Sequence, residues 1–206
     1  MEDFKFSEHF TNIYENDIWG CGSGGGSTID NTVEYRKFIE DFIKNENIKS
    51  TIDYGCGDWQ SSKLINWGSS SYLGIDCVDF LIKSHIKDHE TNDIKFEYVS
   101  DIYGFLDKEY IGDLLVIKDV IQHWLLNEII YFLDNIRSKF KFILITNSSR
   151  QNEDWVLDVD VNSASYRSRP LSAKFYPLNK YNTTILKTYS LHDGSQDIKE
   201  ISLITT

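Results

Sequence analysis

The sequence predicts an α/β fold, a doubly wound and mostly parallel sheet of seven strands that ends in an antiparallel hairpin. Short apolar runs typical of strands alternate with segments of helical periodicity, and this alternation builds a parallel sheet covered by helices on both faces. A tight glycine turn follows the first predicted strand. Two β-rich stretches, 183–191 and 198–205, close the chain and are joined through Gly194, which predicts the hairpin.

The elements can be assigned in order along the chain. In 32–45 the apolar residues recur at the spacing of one helical face, which predicts an amphipathic helix. The period of the pattern then predicts strands at 50–54, 71–76, 95–99, 113–118 and 141–146, and helices at 61–67, 78–87 and 124–136. The stretch 147–182 is polar and is interpreted as an insertion before the hairpin.

Length and charge limit the class of protein. A chain of 206 residues and 24.0 kDa fits one α/β domain. With 32 acidic and 21 basic residues the net charge is -11, which disfavours a nucleic-acid substrate because the phosphate backbone is repelled. No apolar run approaches the roughly 20 residues of a membrane span, and the N-terminus lacks the pattern of a signal peptide. We therefore expect a cytoplasmic protein.

The three cysteines carry little chemistry by themselves. Cys21, Cys56 and Cys77 are odd in number and show no C-x-x-C spacing, so reduced and packed thiols are expected. Asp58, Asp119 and Asp154 are acids that could converge on a divalent cation. Acids scattered through an acidic chain are usually solvated, and no metal is assigned.

The strongest functional signal is a glycine turn between a strand and the segment after it. Gly55-Cys56-Gly57 lets a ligand lie against bare backbone, and Asp76 ends the next strand about 20 residues on, where an acid can hold a ribose diol. A dinucleotide fingerprint needs a further glycine where Gln60 stands, so pyrophosphate binding is disfavoured. The two elements indicate an adenosine-type cofactor.

These motifs, in this order, are similar to those of class I S-adenosylmethionine-dependent methyltransferases. The resemblance covers roughly 50–147. It is carried by Asp53-Tyr54-Gly55-Cys56-Gly57-Asp58, by Gly74-Ile75-Asp76, and by the stretch from Asp113 to Trp124. Trp59 stands where the family usually has a third glycine. The resemblance implies one domain over 1–206, with an N-terminal glycine-rich lid and helix (1–48), a cofactor-binding core (49–147), and an acceptor-side insertion with the terminal hairpin (148–206).

The resemblance also implies which residues bind S-adenosylmethionine. Gly55 and Gly57 would approach the cofactor, Asp53 would orient its amino end, Asp76 would bind the ribose and Asp101 the adenine amino group. Ordinary solvated acids at strand ends remain the alternative for Asp76 and Asp101. The full implied set is Tyr14, Trp19, Gly20, Ser27, Asp53, Gly55, Cys56, Gly57, Asp76, Cys77, Ser100, Asp101, Ile102 and Lys118.

Two further segments resemble a subgroup of small bacterial and viral methyltransferases encoded with glycan-synthesis genes. The first is 12–20 with the following Gly/Ser run, and the second is Arg169-Pro170-Leu171. This resemblance implies that the N-terminal run closes over the ligand and that Tyr14 or Trp19 covers the cofactor. A flexible linker with two packed aromatic rings is the alternative. Trp124, Arg167 and Arg169 are the predicted acceptor contacts, the two arginines because they cluster in the polar insertion of a net-acidic chain.

His123 and Asp119 are the predicted catalytic residues. His123 follows the fourth predicted strand of the core by about one turn, and a neutral imidazole can accept the proton of a hydroxyl acceptor. The alternative is that it caps or packs the next helix. The remaining histidines, His9, His85, His89 and His192, are expected at the surface.

The resemblance favours methylation of a sugar hydroxyl on a glycan or nucleotide sugar. Three alternatives stay open: an amine acceptor, a phosphoramidate-type acceptor, and a catalytically silent adenosine-binding module. The silent module would partner a glycosyltransferase, and glycosyltransferase domains are candidate partners for the enzyme as well.

Overall fold

The structure is a computed structural model that describes residues 5–149, 170–195 and 197–205. The chain divides into two compact units, Met1–Tyr110 and Ile111–Thr206. The predicted fold class is confirmed, because the seven strands form a mostly parallel α/β sheet whose last strands are antiparallel. No helix of the described ranges is both long enough and apolar enough to cross a membrane.

The described residues of the first unit form three parallel strands and four α-helices. Parallel pairing aligns Ser50 with Ser71 and Tyr72 with Ile94, which gives the order β3-β2-β1 within this unit. The strand before the glycine turn and the strand that ends in Asp76 therefore have their carboxyl ends at the same edge of the sheet. The elements are α1 (Phe6–Glu15), α2 (Val33–Asn45), β1 (Ser50–Tyr54), β2 (Ser71–Asp76), α3 (Asp79–His89), β3 (Ile94–Tyr98) and α4 (Ile102–Asp107).

The second unit combines parallel and antiparallel pairing. Its first two strands are parallel, with Leu114 opposite Phe142, and the last strand lies antiparallel between its neighbours, so the order is β4-β5-β7-β6. The central strand residues 114–117 are fully buried, as a strand covered on both faces requires. The elements are β4 (Gly112–Lys118), α5 (Leu126–Ile136), β5 (Phe140–Ser148), β6 (Thr184–Ser190) and β7 (Ile198–Thr205).

The predicted helix at 61–67 is wrong. Only a 3-10 turn forms there, over Ser62–Leu64, and Ile65 leaves it in an extended conformation. The Trp67 indole donates a hydrogen bond to the Ser62 carbonyl at 3.2 Å. Ile65 and Trp67 are both buried. Burial of these two side chains and the indole bond stabilise a compact loop in place of a regular helix.

Two helices were not predicted. Helix α1 buries Phe6 and Ile13, which are seven residues apart and so share a face. Helix α4 has only six residues and is too short for a periodic signal. It begins with Asp101 as its N-cap, whose carboxylate accepts the Gly104 amide at 2.8 Å.

Candidate functional site

The glycine turn after β1 has the backbone that its sequence predicts. Gly55 and Gly57 have φ angles of +80° and +56°, in the region that glycine adopts at little cost. The amides of Gly55 and Cys56 both donate to the Ile75 carbonyl, at 2.7 and 3.0 Å. These bonds hold the turn against the end of β2.

Asp76 lies beside this turn at the end of β2 and is 8% exposed. Its Oδ2 accepts the Gly57 amide at 2.8 Å and its Oδ1 accepts the Val78 amide at 3.0 Å. Burial raises the pKa of Asp76 to about 6, although these backbone donors favour the ionised form. The structure thus brings together the turn and the acid that spacing predicted.

The N-terminal segment packs directly on Gly57. A Cβ at Gly57 would overlap Ser23 Oγ and would lie 2.7 Å from Tyr14 Oη. Ser23 Oγ donates to Asp58 Oδ1 at 2.9 Å and accepts the Asp58 amide at 3.0 Å, and the Ser23 amide donates to Asp58 Oδ2 at 3.0 Å. Because the one Ser23 hydroxyl proton is used on Asp58, the Tyr14 hydroxyl, 2.8 Å away, must be the donor to Ser23. Tyr14 and Ser23 therefore join the N-terminal segment to Gly57 and Asp58 of the turn.

Trp59 occupies the usual third-glycine position with a backbone that glycine would favour. Its φ is +57°, in the left-handed region. The ring is 6% exposed and packs on Phe96 and His89, with centroid distances of 4.9 and 5.0 Å. Trp59 thus combines a left-handed backbone conformation with a large, buried side chain.

Asp53 and Asp101 have structural partners. Asp53 is 3% exposed, and its Oδ2 accepts the hydroxyls of Ser62 and Tyr72 at 2.9 and 2.8 Å. Asp101 caps α4 and also accepts the Ser100 hydroxyl at 3.2 Å. Their predicted contacts with the cofactor stay predictions, and each carboxylate also has a structural role, Asp53 in joining β1 to β2 and Asp101 in capping α4.

The remaining predicted cofactor residues of the first unit are spread over its N-terminal segment and strand ends. Trp19 is half-buried and packs edge-on against Phe10 and Tyr14, at 6.0 and 6.3 Å between centroids. The others in this group are Gly20 with φ +71°, Ser27 at the end of a 3-10 turn, buried Cys56, half-buried Cys77 and Ser100, and Ile102, which is 1% exposed. All three cysteines are free thiols.

His85 corrects the expectation of a surface residue. It is 5% exposed, and its Nε2 lies 2.9 Å from the Gly57 carbonyl oxygen. The ring also packs on Phe96 at 5.0 Å. Its inward position follows from the face of α3 that covers the sheet, where Ile82 is also buried. His89 and His192 are exposed as expected, and His9 is half-exposed.

In the second unit, the residues at the end of β4 form a buried ion cluster. Asp119 follows the strand with φ +57°. Its Oδ2 lies 2.7 Å from Lys118 Nζ, and its Oδ1 lies 2.8 Å from Lys199 Nζ. Lys199 also donates to Ser148 Oγ at 2.9 Å and lies 3.4 Å from Asp197 Oδ2. The side chains of Lys118, Asp119 and Lys199 are only 10%, 14% and 4% exposed.

The two ammonium groups decide the protonation of Asp119. Burial disfavours its ionised form, but Lys118 and Lys199 outweigh burial and lower its pKa to about 2. Burial also opposes the charge of Lys199, yet Asp119 and Asp197 raise its pKa above the ordinary value. Asp119 is therefore ionised at neutral pH and is too weak a base to accept a proton there.

His123, the other predicted catalytic residue, ends a 3-10 turn just before α5. It is half-buried, and its Nε2 lies 3.4 Å from Nε2 of Gln122. A glutamine amide nitrogen only donates, so this contact requires an unprotonated His123 Nε2. Trp124 is 4% exposed and packs edge-on against Phe132 at 4.9 Å, which indicates a core role for this predicted acceptor-binding residue.

Glu200 and Lys199 were missed by the sequence analysis. Glu200 is 3% exposed and accepts the Ala173 amide at 2.7 Å and the Ser172 hydroxyl at 2.8 Å, so it fixes the segment before the hairpin to β7. The sequence signal that could have indicated both residues is the presence of two charged side chains within the final β-rich stretch, 198–205. Arg167, Arg169 and Asp154 lie outside the described residues. Among the residues described, no group of three or more His, Cys, Asp or Glu side chains is placed to hold a metal ion.

Known proteins match this chain through structure alone. No family model and no curated protein matches the sequence. The bifunctional kinase-methyltransferase WbdD superposes with a TM-score of 0.61 and 12% identity over 84% of this chain, which spans only 39% of the WbdD chain. Magnesium protoporphyrin IX methyltransferase (ChlM) from Synechocystis PCC 6803, with bound SAH (S-adenosylhomocysteine), gives 0.59 and 14% identity over 86% of both chains.

A third match is the N-terminal domain of EvdMO1, solved in the presence of SAH and D-fucose. It gives a TM-score of 0.60 and 12% identity over 89% of this chain and 85% of that one. Identities this low establish the fold and nothing finer. The chain has the class I methyltransferase fold.

Proposed function

We propose that this protein is an S-adenosylmethionine-dependent methyltransferase that methylates a sugar hydroxyl on a glycan or nucleotide sugar. The observation that carries the proposal is the Gly55–Gly57 turn with the Asp76 carboxylate bonded to its Gly57 amide. A carboxylate has about four acceptor positions, so backbone donors leave capacity for a ribose hydroxyl. The matched structures of ChlM and EvdMO1 contain SAH or were solved in its presence, which supports the same class of cofactor here.

The sugar acceptor is supported by two separate likenesses. The N-terminal segment and the Arg169-Pro170-Leu171 motif resemble the glycan-associated subgroup. The EvdMO1 domain was solved in the presence of D-fucose as well as SAH. Arg167 and Arg169 are the proposed contacts to a polyhydroxylated or anionic acceptor, because a guanidinium offers a planar set of donors.

Different residues of this chain have different roles in the proposed reaction. When bound, S-adenosylmethionine supplies a sulfonium methyl group, which is transferred by in-line displacement. Asp76 accepts hydrogen bonds from the ribose, and the glycine turn admits the ligand close to the backbone. His123 would accept the proton of the acceptor hydroxyl at Nε2, with the acceptor replacing the 3.4 Å contact of Gln122 there. Asp119, held ionised by two lysines, serves as a fixed charge and not as the base.

The cofactor assignment is tested by calorimetry with SAH. Wild-type protein should bind it, and Asp76→Ala should weaken binding by about 1–3 kcal/mol because ribose hydroxyls lose a charged acceptor. Asp79→Ala is the matched control, since Asp79 is an exposed acid three residues on that pairs with Lys83. Binding of NADH without binding of SAH would reject the cofactor, and equal affinities in all three proteins would place the ribose elsewhere.

The acceptor class is tested by transfer of a labelled methyl group to a panel of sugars, nucleotide sugars and amines. With a hydroxyl acceptor, His123→Ala should lower the turnover number by about 100-fold to 10,000-fold and leave SAH affinity unchanged, because the proton moves only in the transition state. The loss should shrink as the pH rises. Full activity of this variant on a hydroxyl acceptor would leave His123 as a packing residue. Donor binding with no transfer to any acceptor would indicate the silent module.

A further inference from the structure

The hydrogen bond between His85 and the glycine turn has no role in the reaction proposed above. A carbonyl oxygen can only accept a hydrogen bond, so the 2.9 Å contact with Gly57 requires a proton on His85 Nε2. Burial lowers the pKa of His85, so the ring is a neutral Nε2–H donor at neutral pH. The turn thus receives a donor from helix α3, 28 residues further along the chain.

The hydrogen bond fixes one particular peptide plane. In a trans peptide the carbonyl and the next amide point in opposite directions. The Gly57 carbonyl points to His85, and the Asp58 amide points away from it, to Ser23 Oγ at 3.0 Å. The Gly57 amide is fixed separately by Asp76 Oδ2.

Without His85 this plane would lose one of its two hydrogen bonds, and the bond from the Asp58 amide to Ser23 Oγ would remain. Glycine populates both signs of φ readily, so a peptide next to Gly57 can rotate at small cost. Rotation would turn the Gly57 carbonyl toward the N-terminal segment and remove the Asp58 amide as a donor on that side. The Asp58 amide would then lose its bond to Ser23 Oγ, and the turn would no longer be held in a single backbone conformation.

We infer that His85 is a positioning residue for cofactor binding, which holds the Gly57–Asp58 peptide so that its amide stays bonded to Ser23 and the glycine turn keeps the backbone conformation that the cofactor would meet. The inference rests on the proposed function, because it takes the glycine turn as the cofactor site. His85 acts through the backbone and need not touch the ligand.

The experiment compares SAH affinity by calorimetry in wild-type protein, His85→Leu, His85→Gln and His89→Leu. Leucine removes the donor, and SAH binding should weaken about tenfold, the size expected when one buried hydrogen bond is lost. The glutamine amide can reach the position of Nε2, so His85→Gln should bind within about threefold of wild type. His89→Leu is the matched control, since His89 is exposed on the same helix and, like His85, lies beside the Trp59 ring, with centroid distances of 5.0 and 6.1 Å.

Each result supports or overturns the proposed role of His85. Equal affinity of His85→Leu and wild type would overturn it, and so would a glutamine variant as weak as the leucine variant, because only packing would then matter. If His85→Leu fails to fold, the shorter amide of His85→Asn replaces it and should bind about tenfold more weakly than His85→Gln. No SAH binding by wild type would instead overturn the proposed function, and the inference with it.

Discussion

Asp76 in the first unit and Asp119 in the second both lie buried at the ends of parallel strands, yet their surroundings shift their pKa values in opposite directions. Asp76 has backbone amides for partners, and burial raises its pKa to about 6. Asp119 is buried too, but two lysines lower its pKa to about 2. Neutral donors stabilise a charge less than ammonium groups do. The charge of the first acid is therefore stabilised by neutral donors alone, whereas the charge of the second is balanced by two ammonium groups within the chain.

The largest expected effect comes from breaking the Asp119 cluster. Lys199→Met should lower the free energy of unfolding by about 3 kcal/mol or more, because removing one partner leaves a buried charge less compensated. Urea denaturation of Lys199→Met, Asp119→Asn and the double variant measures the coupling between the two residues, and we expect about 2 kcal/mol or more.

An exposed pair in the same unit is the matched control for this cycle. Lys180 and Asp134 are 3.1 Å apart, with side chains 44% and 43% exposed. The cycle with Lys180→Met and Asp134→Asn should give a coupling of at most about 1 kcal/mol, since solvent screens the pair. Equal coupling in the two cycles would show that burial adds nothing to the Asp119 cluster.

The next effect concerns Asp76 and pH. Its folded pKa is raised, so its contribution to stability is complete below the unfolded value of 3.8 and is lost as the pH rises through about 6. A shift of about two units corresponds to about 3 kcal/mol. For Asp119 the sign is reversed, and its contribution is present above 3.8 and lost as the pH falls through about 2.

We expect the difference in unfolding free energy between wild type and Asp76→Ala to fall by up to about 3 kcal/mol from pH 4 to pH 7, without ligand. Taking the difference removes the titration of all groups that the two proteins share. Chemical denaturation at four or five pH values measures it. A difference that is constant with pH would mean that Asp76 has an ordinary pKa in the folded protein.

The two units also differ in how far their sites could be predicted from sequence. The turn and Asp76 were predicted because β1 and β2 are consecutive parallel strands, at 50–54 and 71–76 as expected, so their ends meet at one edge. Strand bounds elsewhere agree within one or two residues, since strand-length apolar runs are short and clear. The loop at 61–67 was not predictable from periodicity, because an indole bond and side-chain burial decide it.

Lys199 and His85 escaped prediction for a related reason. Lys199 meets Asp119 across 80 residues of sequence, and only the placement of β7 beside β5 brings them together. His85 bonds to a backbone carbonyl, and because every residue has a carbonyl, no sequence motif marks such a partner. Apolar patterning predicts elements well, but partners distant in the chain depend on the assembled sheet.

The smallest expected effect concerns Asp58, an acid in the glycine turn of the first unit. Asp58 is half-buried and, like Asp76, has neutral donors, chiefly the Ser23 amide and hydroxyl. Ser23→Ala removes the hydroxyl that also receives the Asp58 amide and the Tyr14 hydroxyl, and should lower the free energy of unfolding by about 1–2 kcal/mol. Ser84→Ala is the control, since the Ser84 hydroxyl donates to Asp88 at 3.1 Å but is exposed, and it should cost less than about 0.5 kcal/mol. Thermal or urea unfolding of the two variants checks this. Equal small losses would mean that water replaces the Ser23 hydroxyl readily, and that Tyr14 and the Gly/Ser run contact the turn without contributing to its stability.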